Sequence, residues 1–514
     1  MAQERLPRYD EQISSGLTEH AYEYTKAKPF IHHRKQIGHE GLQEAEYSPL
    51  QRAVIMRGTK LLNVIITVLL FAVLFRVFYT KNTDRPVIEL LNVDFAVTLE
   101  ALAWLLYALL IVSLGRIYNA YEAGILRISE IVYSQSLANL FSSSIIYVLA
   151  CLTKQYILNP LPVLAMVLVQ GIWSVAWSIA ANKLYFRLYP PQKTVIIYKQ
   201  ESDLTKIEQI AHFPSRFDVR KRILNPEDID TIARELDGST VAFIVGIETG
   251  LRDKIVNHCI ENGIQSYVAP QIGDVVMAGA EHMQMFSTPI MRVHQASPTP
   301  EYLFIKRVFD IVCSLISIII VSPLMLLTAL AIKAYDGGPV LYKQIRLTQR
   351  RREFSIWKFR SMCVDAEKDG VARLASACDD RITPIGKIIR ATRFDELPQL
   401  FNILFGDMTI VGPRPERPEI AKQYEQTIPE FALRLQVKAG LTGYAQIYGK
   451  YNTAPEEKLQ MDLMYINNMS IAEDMRLILA TVKILFMKES THGVRDGQTT
   501  AMGAETEEKQ AGSA

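Results

Sequence analysis

The chain has 514 residues, room for about three folded units. Hydrophobic residues make up 49% and charged residues 21%, with a mean hydropathy of +0.09, so part of the chain belongs in lipid, and wholly disordered or collagen-like readings fall away. A net charge of +2 argues against a nucleic-acid binder that relies on bulk positive charge.

Residues 1–57 are polar and hold no apolar run, which predicts an N-terminal arm without a cleavable signal, with a helix around Leu42–Met56. Four apolar runs follow, near Leu61–Tyr79, Phe95–Leu114, Ile131–Leu152 and Leu161–Ala181. Each is long enough to cross a hydrocarbon core of about 30 Å. They predict a four-helix transmembrane unit over 58–186. The third run is interrupted by Ser134, Gln135, Ser136, Asn139 and Ser142–Ser144, which suits hydroxyls bonding across helices. Arg52, Arg57, Lys60, Arg116, Arg127, Lys183, Arg187 and Lys193 cluster on one set of flanks. The positive-inside rule therefore puts the N-terminus and everything after the fourth run in the cytoplasm.

Residues 193–296 alternate strand-like Thr194–Tyr198, Val241–Gly246 and Ser266–Val268 with helix-like Asp203–His212 and Glu248–Gly263. That pattern predicts a Rossmann-like α/β insert with a parallel sheet. The turn after its first strand reads Lys199-Gln200-Glu201-Ser202, without the glycines of a dinucleotide fingerprint, so a regulatory, structural or oligomerising module is expected.

A fifth apolar run, Val308–Ile332, is flanked by cations on both sides (Lys306-Arg307 and Lys333) and interrupted by Ser322-Pro323. Basic flanks place both ends on one side, and proline bends a helix. The expectation over 303–335 is a re-entrant helix hairpin, the alternative being a straight span with a tolerated proline. Residues 336–492 are expected to form a mostly helical α+β domain, and 495–514, small and polar, a disordered tail. The five cysteines (Cys151, Cys259, Cys313, Cys363, Cys378) have no CxxC spacing, which predicts reduced thiols.

The unusual chemistry lies in the last domain. Asp395 and Glu396 are adjacent acids just before Pro398, at the expected start of an apolar-faced helix. Spacing alone favours a capping role. Gly412-Pro413-Arg414-Pro415-Glu416 fixes an arginine between two prolines, either a rigid surface turn or a guanidinium pre-placed for phosphate. Arg346, Lys358, Arg360, Arg381, Lys387, Arg390 and Arg393 add cations that suit a phosphate-rich substrate or anionic lipid heads.

Several motif strings resemble the bacterial sugar transferases, polyprenyl-phosphate hexose-1-phosphate transferases of the monotopic phosphoglycosyl transferase superfamily. They are WKFRSM…DAE (357–367), DDRITPIGKIIRATRFDELPQLFNILFGDMTIVGPRPE (379–416), KAGLTGYAQIYG (438–449) and KLxxDLxYI (458–466). The four spans and the insert are similar to the large, multi-span members. Ala439 and Tyr444 depart from that family's usual proline and tryptophan. The resemblance implies that Asp395 is a nucleophile attacking the β-phosphorus of a UDP-sugar and that Glu396 holds Mg²⁺. Lys358, Arg360, Arg381 and Arg414 would neutralise phosphate oxygens. The acceptor would be undecaprenyl phosphate, at the cytoplasmic face of a bacterial inner membrane, with UMP released and exopolysaccharide, capsule or O-antigen synthesis initiated. Glucose or galactose is the expected sugar, and a homodimer in contact with membrane lipid the plausible assembly. The rivals are a non-catalytic membrane sensor or lipid-binding scaffold, and a transferase that acts by direct in-line attack.

Overall fold

The computed structural model describes residues 48–80, 95–201, 203–204, 207, 216–296, 298–364, 381–449 and 453–485. Most of the expected arm, the DAE motif, Asp379-Asp380, Cys378 and the expected tail lie outside them. The chain divides into two compact units, Met1–Ala53 and Val54–Ala514, and of the first only Ser48–Ala53 is described, helical from Pro49.

Helices α1 (Pro49–Phe75), α2 (Phe95–Ile117), α3 (Ile128–Lys154) and α4 (Leu161–Leu188) are long and apolar enough to cross a membrane. Each helix outruns its apolar run at one end at least, α1 at its start, α2 and α4 at their ends and α3 at both. Hydropathy marks the lipid-matched stretch, whereas backbone hydrogen bonding continues through amphipathic flanks such as Pro49–Lys60. All four contribute to one cluster containing Phe71, Tyr107, Ile111, Ile146 and Met166, with the Phe71 and Tyr107 rings stacked at 3.8 Å. The polar interruptions of α3 face inward: Ser134, Gln135, Asn139, Ser142 and Ser143 are all buried. Gln135 Nε2 donates to the Ala120 carbonyl at 2.9 Å, and Gln170 of α4 donates to Tyr107 Oη at 2.9 Å. Close packing and interhelical hydrogen bonds replace the hydrophobic drive that lipid cannot supply.

The insert is a four-stranded parallel sheet of order β2-β1-β3-β4, built from β1 (Gln192–Tyr198), β2 (Phe217–Leu224), β3 (Val241–Val245) and β4 (Gln265–Val268). Helices α5 (Ile229–Leu236) and α6 (Thr249–Glu261) cover it. The parallel sheet meets the expectation, but β2 was not foreseen. It lies at the sheet edge and reads FDVRKRIL, with the charge that protects an exposed edge and hides the strand in a hydropathy profile. Helix α7 (Ile272–Ala278) leaves the insert and joins the core of the C-terminal domain, where Val275 meets the cluster of Leu459, Leu463 and Tyr465. A hairpin of β5 (Glu281–Met285) and β6 (Thr288–Arg292) follows.

Helix α8 (Pro300–Asp336) carries the fifth apolar run. It is one continuous helix with Pro323 inside, where two helices joined by a turn were expected; the lost backbone bond does not break the helix. Both ends seat on the same domain. Near its start, Arg307 donates to the carbonyls of Ile403 and Leu404 at 2.7 and 2.8 Å, and Asp310 accepts from Thr409 Oγ1 at 2.7 Å and the Ile410 N–H at 3.0 Å. Near its end, Ile332 packs with Phe359 and Ile389, and Asp336 pairs with Arg360. Between them Ile316, Ile319, Ile320, Leu326 and Leu327 are each more than half exposed, an apolar band unmatched by protein.

The C-terminal domain begins with an antiparallel hairpin, β7 (Leu341–Leu347) and β8 (Glu353–Phe359). Its turn holds Arg350 and Arg351 at φ 57° and 60°, the left-handed pair of a primed hairpin turn without the usual Asn-Gly. Then come α9 (Pro384–Ala391), α10 (Gln399–Phe405), β9 (Thr409–Val411), α11 (Pro418–Thr427) and β10 (Gly440–Thr442), which pairs parallel with β9. Helices α12 (Pro455–Asn467) and α13 (Ile471–Leu485) close the domain, and Leu479 of α13 touches the membrane-helix cluster.

Candidate active site

Asp395 and Glu396 stand in a single 3₁₀ turn, Phe394–Glu396, that leads through Pro398 into α10. The turn is set by Arg393, whose φ of 56° is left-handed and costly for a residue with a β-carbon. Neither acid supplies a side-chain cap to α10, so the capping reading of these residues does not describe them. Instead the carboxylates turn towards cations.

Asn402, one turn into α10 and buried, locks the acid-bearing segment onto β8. Its Oδ1 accepts from the Trp357 N–H at 3.0 Å and its Nδ2 donates to the Ser355 carbonyl at 2.9 Å. The amide thus substitutes for a neighbouring strand and fixes where Lys358, the next residue, stands. Lys358 Nζ lies 3.5 Å from Glu396 Oε1.

The third part is the loop after β9. Gly412 and Gly440 allow β9 and β10 to approach so closely that a β-carbon on Gly440 would stand 2.1 Å from the Gly412 nitrogen. Pro413 and Pro415 are buried, while Arg414 between them points outward with its Nη2 3.3 Å from Glu396 Oε1. Arg393 Nη1 lies 3.9 Å from the other carboxylate oxygen.

These charges separate the two acids. Burial alone would raise Glu396, but Lys358, Arg414 and Arg393 outweigh it and hold the carboxyl at about 2. Asp395 goes the other way: burial and the neighbouring Glu396 raise it, against the pull of Lys358 and Arg390. Lys358 is lowered by burial, opposed chiefly by Glu396. Arg346, on β7, is pushed down to about 10 by burial, opposed by Glu416, and donates to the Pro415 carbonyl at 3.1 Å. The result is an ionised acid locked among cations beside a half-buried acid whose carboxyl is free of salt bridges within the described residues.

Of the expected site residues, Asp395, Glu396, Lys358 and Arg414 come together. Arg360 does not join them: it is buried, paired with Asp336 at the end of α8. Its role is to tie the membrane helix to β8, and the i+2 spacing from Lys358 misled because the strand ends at Phe359. Arg381 lies at the entrance to α9, its carbonyl accepting from the Cys363 N–H at 2.9 Å, and is not among the groups that dominate the charge around either acid. Asn402 and the pair Arg434–Asp462, 2.7 Å apart behind the Arg414 loop, were given no role from sequence. The KLxxDLxYI string contains Asp462, but its spacing carries no hint of Arg434. Burial pushes the Asp462 carboxyl up to about 6, against the pull of Arg434.

Residues 301–488, which span this whole constellation, match the family model described as bacterial sugar transferase. The exopolysaccharide production protein PSS of Rhizobium leguminosarum is 40% identical over 189 residues, 35% of this chain and 94% of that protein. The chain belongs to the bacterial sugar transferase family. Another member, the UDP-glucose:undecaprenyl-phosphate glucose-1-phosphate transferase of Caulobacter vibrioides, is 37% identical over 40% of this chain and 79% of its own length. The N-acetylgalactosaminephosphotransferase of Aeromonas hydrophila is 42% identical over 37% of this chain, and the match spans 45% of that relative. The two departures from the sugar transferase motifs also find their place. The Ala439 N–H, which a proline would lack, donates to Thr348 Oγ1 at 3.1 Å, and Tyr444 Oη donates to Glu473 at 2.8 Å.

Proposed function

We propose that the chain transfers a sugar 1-phosphate from a UDP-sugar to undecaprenyl phosphate in two displacements at Asp395. A carboxylate oxygen of Asp395 attacks the β-phosphorus; the bond from that phosphorus to the bridging oxygen breaks, and UMP leaves with the electron pair. A phosphate oxygen of the lipid then attacks the same phosphorus and returns Asp395 as carboxylate, leaving a lipid diphosphosugar. Splitting the transfer this way lets one acid meet both substrates in turn. The observation that carries the reading is the division of labour in the acid pair: Glu396 is held by three cations, while Asp395, half-buried beside them, has no salt bridge among the described residues.

Lys358, Arg414 and Arg393 offset the charge of the attacked diphosphate, whose oxygens no carboxylate could otherwise approach. Magnesium fits this donor set in one manner only. Among the described residues no group of three or more metal-ligating side chains exists, so Glu396 would hold the ion together with the donor's phosphates. When bound it supplies further charge neutralisation at the diphosphate.

The donor is water-soluble and the acceptor is embedded, so the reaction belongs at the cytoplasmic boundary of the inner membrane. We read α8 as re-entrant, because its two ends seat on one domain and a proline interrupts the apolar band between them. In a cysteine-free background, Ile305→Cys and Ala334→Cys should both react only with reagents that reach the cytoplasm; periplasmic labelling of the second would overturn this topology. The reaction itself is tested with purified protein, undecaprenyl phosphate and a panel of UDP-sugars, scored by UMP release. Release that depends on both substrates is the expected result. UDP release, or none with any sugar, refutes the assignment.

A further inference from the structure

The Arg414 loop is gripped from behind. Arg434, only 2% exposed, donates from Nη2 to the Arg414 carbonyl at 2.8 Å. The same guanidinium lies 2.7 Å from Asp462 on α12 and 3.5 Å from Glu416, two residues beyond Arg414. Arg346 holds the Pro415 carbonyl between them. Three successive residues, 414 to 416, are therefore anchored by two arginines, and the anchoring atoms belong to the backbone or to Glu416, never to the Arg414 side chain. That side chain is left facing Glu396.

A buried ion pair is a weak source of stability, since an apolar replacement of similar volume often does as well. What a guanidinium supplies that an apolar group cannot is direction: a rigid planar group whose Nη2 donates to the Arg414 carbonyl while the charges of Asp462 and Glu416 hold it in place. Locked proline φ angles transmit that direction, because they leave the 413–415 backbone little freedom to absorb an error.

We propose that Arg434, oriented by Asp462, is a positioning residue that sets where the Arg414 guanidinium meets the pyrophosphate of a nucleotide. The inference rests on the reading of Arg414 as a phosphate-binding residue. It assigns Asp462, on a helix remote in sequence, to the same task.

The test is a double-mutant cycle on nucleotide binding, which needs no turnover. UDP affinity is measured by titration calorimetry on full-length protein in nanodiscs for wild type, Arg434→Lys, Arg414→Ala and the double variant. Arg434→Lys keeps the charge beside Asp462 but cannot hold all three partners. The expected result is a roughly tenfold loss from Arg434→Lys alone and less than about twofold when Arg414 is already alanine. Equal losses in both backgrounds, or no UDP binding by the wild type, overturn the proposal. Should Arg434→Lys fail to fold, Asp462→Asn, which leaves Arg434 present but unoriented, is run through the same cycle with the same two outcomes. A coupled cycle in a protein that releases no UMP would sink the transferase reading and leave the positioning role standing.

Discussion

Asp395→Asn is expected to abolish UMP release, with a loss of at least about a thousandfold, while the protein keeps its fold. The substitution is nearly isosteric at a half-buried position with no ion pair to break among the described residues, so thermal unfolding should move by no more than about a degree or two. An amide is too poor a nucleophile to attack phosphorus. Incubation with a UDP-sugar labelled in the sugar, without lipid acceptor, should leave label on the wild type and none on the variant. Full activity in a folded Asn variant would remove Asp395 from the chemistry, and an active wild type that never carries label would favour direct attack by the lipid phosphate.

The second large effect belongs to Lys358. Two unit charges about 4 Å apart interact by about 4 kcal/mol at the effective dielectric of a protein surface, which is roughly a thousandfold in rate. Lys358 faces Glu396 at 3.5 Å and also lowers Asp395, so Lys358→Met leaves two neighbouring acids with much of their compensating charge gone. A fall in kcat/KM of about a hundred- to a thousandfold is expected, partly restored by Lys358→Arg. Arg360→Ala offers the contrast: with Asp336 as its partner, its loss should register in thermal stability and far less in kcat. A Lys358→Met protein within threefold of wild type would show that this cation only balances the acids at rest.

What the amino-acid order disclosed, and what it hid, follows from the range of the interactions involved. The membrane helices were legible because hydrophobicity along one helix is local, and the acid pair and Pro-Arg-Pro loop because their residues are adjacent. The β7–β8 hairpin was hidden by its turn, where Arg350 and Arg351 occupy left-handed positions that ordinarily announce themselves as Asn-Gly. Strand β2 was hidden by charge at a sheet edge. Asn402 and Arg434 were beyond reach for another reason: each acts on backbone atoms far along the chain, and neither backbone partner carries a side-chain signature. Arg360 shows the converse error, a cation in the right motif whose partner, Asp336, lies outside it.

Helix α7 belongs to the insert by sequence and to the transferase by contact. Asn467 donates to the Val275 carbonyl at 2.6 Å, Gln460 to that of Pro270 at 2.9 Å, and a β-carbon on Gly279 would strike Asn467. The Rhizobium relative is matched over 94% of its length by 189 residues, which leaves it hardly any chain for such an insert. In this chain the flank of α12 beneath Val275 is covered by α7. Excising a minimal enzyme from this chain at residue 300 would bare that flank, so such a truncation, still membrane-bound through α8, should need polar replacements there before it behaves as a stand-alone module.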